Sequence, residues 1–151
     1  MIMNFNKVRY IDLLTKAKKL EQQNRFLSDA ESLELLKYRI DMEVHVFFVG
    51  RDKLISLIKN FLSKTISNQV FCNEIIAMHY QLLEKENEFE LNVLGGIENC
   101  DKIEVDQKQR DLLSFHSDLS FLSNLYNDYL DPDLWRRDME QECQRLHEIL
   151  D

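Results

Sequence analysis

Two cysteine–histidine pairs have the residue types and spacing that come nearest to a metal site in this chain. Cys143 and His147 are four residues apart and Cys72 and His79 are seven apart, so each pair would share one side of a helix. A structural zinc site needs four ligands, however, and usually shows closely spaced Cys or His pairs. Because such pairs are missing from the sequence, we expect both cysteines to be core residues and predict neither a metal nor a cofactor.

Other catalytic motifs are incomplete. A di-iron site in a helical bundle requires Glu-x-x-His on two helices, but none of the four histidines has Glu three residues before it. Three glycines cannot supply phosphate-binding loops, and Gly-x-Ser-x-Gly is not found. A lone His116 or Trp135 beside apolar residues is more typical of a core than of a ligand pocket. We therefore predict that the chain is not an enzyme. A deep cleft in which Glu and His side chains converge would instead favour an enzyme.

Helices must position any site in this chain, because three glycines and one proline among 151 residues leave few points where a helix has to stop. Apolar residues recur every three or four positions, which predicts an all-α, single-domain bundle of about five to six helices. Residues 44–49 would suit a strand equally well, and we favour a helix there. The predicted helices cover approximately residues 7–25, 29–49, 51–63, 68–88, 109–129 and 132–150.

The helical pattern is interrupted between Glu90 and Gln107. This stretch contains the pair Gly95-Gly96, several Asn and Asp residues, and only weak apolar periodicity. We predict a long connection here. Connections of this length inside a compact domain are uncommon and are often functional or disordered.

Charge is distributed unevenly along the chain, whose net charge is −8. Residues 1–27 carry six Lys or Arg against two acids, whereas residues 84–106 carry eight acids against two lysines, and residues 128–151 carry eight acids against three arginines. Acidic surfaces attract basic protein partners, while direct nucleic-acid binding needs clusters of Lys and Arg. The alternative is that these acids only keep a small domain soluble.

Cysteine usage and hydropathy indicate a reducing, aqueous compartment. Three widely spaced cysteines suggest no disulfide framework. The longest apolar run, residues 44–50, is too short to span a bilayer, and the first residues do not form a secretory signal. We expect a cytoplasmic protein, or one of an organelle stroma or matrix, that has no membrane partner.

Two stretches in the last hundred residues combine helix, turn and helix-entry signals. Residues 57–71 read LIKNFLSKTISNQVF, and residues 121–133 read FLSNLYNDYLDPD, which ends in an aromatic residue and a Pro-Asp turn. Both stretches resemble the colicin D immunity protein family of small acidic helical bundles. The resemblance covers about residues 51–151 and leaves residues 1–50 as an N-terminal helical extension. The connection over residues 90–107 is longer than the family pattern.

The resemblance implies an inhibitor that covers the basic RNA-binding cleft of a tRNA-cleaving toxin with carboxylates. We therefore predict an acidic protein-binding protein whose partner is basic and is, in the most specific form, a nuclease toxin. Local charge, rather than matched family positions, selects the candidate contacts Glu86, Glu88, Glu90, Glu98, Asp101, Asp131 and Asp133. Aromatic residues beside the acidic segments would serve either as interface anchors or as core: Phe89, Tyr126, Tyr129 and Trp135.

A structural or assembly subunit of a larger complex is the alternative function. Such a subunit would dock through its basic first helix and its acidic later half. Salt dependence separates the two hypotheses, because inhibition of a basic partner is salt-sensitive, whereas a subunit held by apolar anchors is not.

Overall fold

Helices make up nearly all of the secondary structure in this computed structural model, which describes residues 3–4, 6–95 and 104–150. The predicted all-α bundle is therefore confirmed. Within those ranges the only strands are β1 and β2, which form an antiparallel pair of two residues each. The elements in chain order are β1 (Met3–Asn4), α1 (Lys7–Glu21), α2 (Asp29–Val49), α3 (Arg51–Leu62), α4 (Asn68–Gly95), β2 (Glu104–Val105), α5 (Gln107–Asn124), a 3₁₀ turn (Tyr126–Asp128), α6 (Pro132–Cys143) and α7 (Arg145–Leu150).

Side-chain caps fix the start of α2. The Ser28 hydroxyl accepts a hydrogen bond from the Glu31 backbone N–H at 3.2 Å, and the Glu31 carboxylate accepts one from the Ser28 backbone N–H at 3.3 Å. This reciprocal capping satisfies two backbone donors that the first turn leaves unpaired. The helix then continues through residues 44–49, so the ambiguous β-branched and aromatic stretch is helical.

Four predicted boundaries were wrong. Helix α1 ends at Glu21, four residues before the predicted end. Helix α4 continues to Gly95 instead of ending near Glu88, because no Gly or Pro interrupts it before the glycine pair. Helix α5 ends at Asn124, five residues before the predicted end, and a 3₁₀ turn follows it. The last predicted helix is divided at Gln144 into α6 and α7.

Two apolar clusters hold the helices together. The larger one is formed by α3 to α7 together with Phe47 of α2, and its largest fully buried side chains include Phe61, Phe71, Phe115 and Trp135. The smaller one joins α1, α2 and Val105 of β2. Because α2 contributes to both clusters, it connects the first helix to the rest of the bundle. No helix in the described ranges is long and apolar enough to cross a membrane.

Candidate functional site

The predicted contact residues fall into three groups in the structure. Glu86, Glu88 and Glu90 belong to α4, and their side chains lie outside the described part of the chain. Of the three, Glu90 was predicted to begin the connection, and the structure places it in the helix instead. Glu98 and Asp101 lie outside the described residues altogether. Asp131 and Asp133 are described and are both exposed at the start of α6. The structure brings this pair together, since the Asp133 backbone N–H donates to the Asp131 carboxylate at 2.9 Å.

The α5–α6 corner, residues 125–134, is the segment that presents this pair. It consists of Leu125, the 3₁₀ turn, three connecting residues of which Tyr129 and Asp131 are extended, and the first three residues of α6. Asp131 is the N-cap of α6 and Pro132 follows it, which is the position where a missing N–H costs nothing. The Asp131 carboxylate therefore caps the helix, and the residue as a whole is exposed.

Trp135 anchors the corner to the core. Its side chain is completely buried, and its indole N–H donates to the Leu122 carbonyl in the last turn of α5 at 2.8 Å. The Tyr126 ring packs edge-on against the indole, with 4.7 Å between the ring centroids. A buried indole that finds its acceptor in the preceding helix fixes the angle between α5 and α6.

A second hydrogen bond closes the outer side of the corner. The Tyr129 hydroxyl donates to the Asp138 carboxylate, in the second turn of α6, at 2.9 Å. This bond raises the pKa of the Tyr129 phenol, because the neighbouring carboxylate disfavours the phenolate. Two side chains of α6 thus hold the corner: Trp135 bonds to Leu122 before it, and Asp138 bonds to Tyr129 within it.

Arg136 fixes the first turns of α6 to the turn between α3 and α4. Its guanidinium donates to the Phe61 carbonyl at 2.7 Å, to the Asn68 side chain at 2.8 Å and to Glu140 at 2.8 Å. The guanidinium also lies over the Phe61 ring, 4.3 Å from its centroid. The planar fork of arginine allows one side chain to make all of these contacts, so the corner rests on a rigid base.

Two leucines stand out from the surface of this rigid corner. Leu130 precedes the N-cap, a position from which an apolar residue often packs against the fourth residue of the helix. That residue is Trp135, but Leu130 is fully exposed and does not cover it. Leu134 is 45% exposed. The fold therefore makes no use of Leu130 and only partial use of Leu134.

Three carboxylates lie within two residues of these leucines in the sequence. Asp128, Asp131 and Asp133 are all exposed, and none of them forms an ion pair within the part of the chain that the structure describes. The neighbouring Glu140 differs, because it is paired with Arg136. The corner thus combines uncompensated negative charge with exposed apolar side chains on a fixed backbone.

The aromatic residues beside the acidic segments belong mainly to the core. Trp135 is buried, and Tyr126 and Tyr129 are partly buried against the larger cluster. Phe89 lies outside the residues whose side chains are described. The exposed apolar side chains of the corner are therefore Leu130 and Leu134 and not these aromatic residues.

The two cysteine–histidine pairs are not arranged as ligand sets. Cys72 and Cys143 are buried in the larger cluster, whereas His79 and His147 are exposed. Burial raises the pKa of the Cys72 thiol to about 11 and that of the Cys143 thiol to about 12, so both stay protonated at neutral pH. In the described ranges no group of three or more His, Cys, Asp and Glu side chains could hold a metal ion.

His116 is a buried core histidine. Its Nε2 lies 3.1 Å from the Ile75 carbonyl of α4, and its ring packs against Phe47 of α2 with 4.9 Å between centroids. Burial lowers the pKa of His116, because a charged imidazolium is poorly solvated there. The side chain therefore joins three helices in its neutral form.

Comparisons with protein-family models, with curated proteins and with solved structures find no match to this chain.

Proposed function

We propose that this protein binds a basic protein partner through the α5–α6 corner. The observation that supports this most is the pairing of Leu130, fully exposed and unused by the fold, with three exposed carboxylates that no cation of the described residues neutralises. Apolar side chains within a charged rim are the usual composition of a protein interface. Opposite charges on the partner speed the encounter and select against acidic proteins.

The rigidity of the corner favours binding further. Trp135, Tyr129 and Arg136 each hold it by hydrogen bonds to other parts of the fold. A preorganised surface loses little conformational entropy when a partner docks, so more of the contact energy appears as affinity. In its most specific form the proposed partner is a basic nuclease whose RNA-binding cleft the corner covers, as the immunity-family resemblance implies.

Affinity capture from the source cells at two ionic strengths tests the proposal. The wild-type chain should retain one basic protein at about 50 mM salt and release most of it at about 500 mM, since screening at high salt weakens exposed charge pairs. The variant D128N/D131N/D133N should lose the partner at both salt concentrations. Asn at position 131 keeps an oxygen that can cap α6, so this variant should fold.

A matched control separates site from net charge. The variant D12N/D52N/E74Q removes the same three charges from exposed residues elsewhere on the chain and should keep the partner. If both variants lose it equally, binding depends on net charge alone and the corner is not the site. If the partner cleaves RNA and the chain abolishes cleavage, inhibition of a nuclease is supported; a partner that binds without losing its activity excludes that form.

A further inference from the structure

Helix α2 carries a second exposed apolar surface, separate from the α5–α6 corner. Leu33, Leu36 and Ile40 are 68%, 51% and 42% exposed and are spaced by three and four residues, so they share one side of the helix. They line a single groove together with Lys37, Asp41 and Arg110. We call these three apolar residues the α2 stripe.

The stripe is the open half of a longer line of apolar residues. Val44 and Phe47 continue it at helical spacing, and both are buried. Phe47 is covered by α5, whose His116 ring packs against it. Six residues earlier on each helix, the Arg110 guanidinium donates a hydrogen bond to the Asp41 carboxylate. Helix α5 thus runs alongside α2 in the same direction, and it begins at Gln107.

The start of α5 explains why the first two residues of the stripe are the most exposed. Arg110 is level with Asp41, and α5 begins three residues before Arg110. Leu33 and Leu36 therefore have no helical part of α5 beside them, whereas Ile40 lies level with its first turn. The groove lies along α2 from Leu33 to Asp41 and meets α5 at Arg110, in the first turn of that helix. An apolar line of residues at helical spacing is the pattern that receives the apolar side of another helix.

Accessible charge in the groove is positive. Lys37 is exposed, and the Arg110 side chain is 29% exposed, whereas its carboxylate partner Asp41 is only 4% exposed. The Arg110–Asp41 distance of 2.7 Å fixes the guanidinium at the end of the groove. Because Arg110 is paired with Asp41, Lys37 is the cation that a partner's carboxylate would meet in this groove, and such a carboxylate would match the groove in charge.

We propose that the α2 stripe binds an acidic amphipathic helix of another protein, laid along α2 where α5 does not reach. This surface differs from the acidic corner in charge and attracts partners of the opposite kind. A chain with both surfaces joins a basic protein to an acidic one, which is the property that an assembly subunit needs.

Two synthetic helical peptides of about 20 residues test this proposal, a length at which designed helices form in water. Both carry Leu at positions spaced by three and four residues; one has Glu and the other Lys at the flanking positions. Fluorescence anisotropy of the labelled peptides with the full chain should show that the Glu peptide binds at least about tenfold more tightly than the Lys peptide. Equal binding, or no binding of the Glu peptide, would overturn the proposal.

Variants of the full chain locate the peptide. L36S should weaken binding of the Glu peptide about tenfold, while V70S, which removes an equally exposed apolar residue from α4, should not change it. K37E should reverse the preference between the two peptides, whereas K59E on α3 should leave it unchanged. Full binding by L36S would overturn the assignment to α2. Sedimentation velocity that shows a dimer lost in L36S would also overturn it, because the occupant would then be a second copy of the chain.

Discussion

The indole N–H of Trp135 donates to the Leu122 carbonyl at 2.8 Å, and this hydrogen bond connects the first turn of α6 to the last turn of α5. Trp135 is completely buried and is the only tryptophan in the chain. The exposed residues of the corner lie between these two partners in the sequence. Their position therefore depends on a contact that is itself protected from solvent.

Replacing Trp135 with Phe should destabilise the protein by about 2 kcal/mol, because the change removes a buried hydrogen bond and leaves a cavity. Urea unfolding followed by circular dichroism measures this loss. The variant L130S is the matched comparison, since Leu130 is fully exposed and its replacement should change stability by less than about 0.5 kcal/mol. Equal losses in both variants would mean that the indole does not anchor the corner.

Replacing Arg136 with Lys should lower the free energy of unfolding by about 2 kcal/mol, because an ammonium cannot reach several acceptors at once or stack on the Phe61 ring. The neighbouring Arg137 is exposed, so R137K should have no measurable effect. Thermal unfolding of the two variants side by side makes the comparison. A stable R136K protein would contradict the role given to the contacts of Arg136 with α3 and α4.

Stability should fall as the pH drops below about 6.5, the ordinary pKa of histidine, because of His116. Its pKa is lowered in the folded protein, so the unfolded chain takes up a proton first. The contribution is fully present above that pH and is lost, at no more than about 1.4 kcal/mol per pH unit, as the pH falls toward the folded-state pKa.

Urea unfolding of wild type and H116Q between pH 8 and pH 5 measures this dependence, and the variant should give a flatter profile. H147Q, which changes an exposed histidine, should retain the wild-type slope. The pKa of Glu43 is raised by burial and acts in the opposite direction, but it is common to all three proteins and cancels in the comparison. Identical slopes for wild type and H116Q would exclude His116 as the cause.

Replacing Lys64 with Gly should stabilise the protein by about 0.5 to 1 kcal/mol, because Lys64 adopts a left-handed backbone conformation with φ 62°. Asn24 has a similar φ of 55°, but Asn tolerates this region better than Lys does. N24G should therefore give a smaller gain. Chemical unfolding distinguishes the two, and a destabilised K64G would contradict the assignment of backbone strain to this turn.

Local signals in the sequence predicted the helices well. The second helix was predicted to begin at residue 29, and it does so behind Ser28, which forms reciprocal capping hydrogen bonds with Glu31. The last predicted helix likewise begins at Pro132, behind its N-cap Asp131. These signals succeed because a capping interaction involves residues only two or three positions apart, so it does not depend on the rest of the fold.

The exposure of individual apolar residues could not be predicted in this way. Leu33 and Leu36 have the spacing of a core-facing stripe, yet they are exposed because they lie before the level at which α5 begins. Leu130 has the position of a residue that packs on its own helix, yet it does not. Both cases depend on where a neighbouring helix begins or where the chain turns. The spacing of apolar residues within one helix does not indicate this.

Among the seven predicted contacts, Asp131 and Asp133 lie in the candidate site, and Asp128 was missed. Charge density along the chain selected the pair, but it did not distinguish paired from unpaired acids. Asp128 has the same exposure as the other two and precedes them on the same corner. A predicted turn with a leucine near its centre is the sequence pattern that would have identified Asp128.

The affinity of the captured partner for the purified chain tests the central claim most directly. Isothermal titration at low salt should give a dissociation constant at least about tenfold weaker for D128N/D131N/D133N than for wild type, and a comparable loss for L130S, while D12N/D52N/E74Q stays close to wild type. A partner that binds the corner variants as tightly as the wild-type chain would show that its site lies elsewhere.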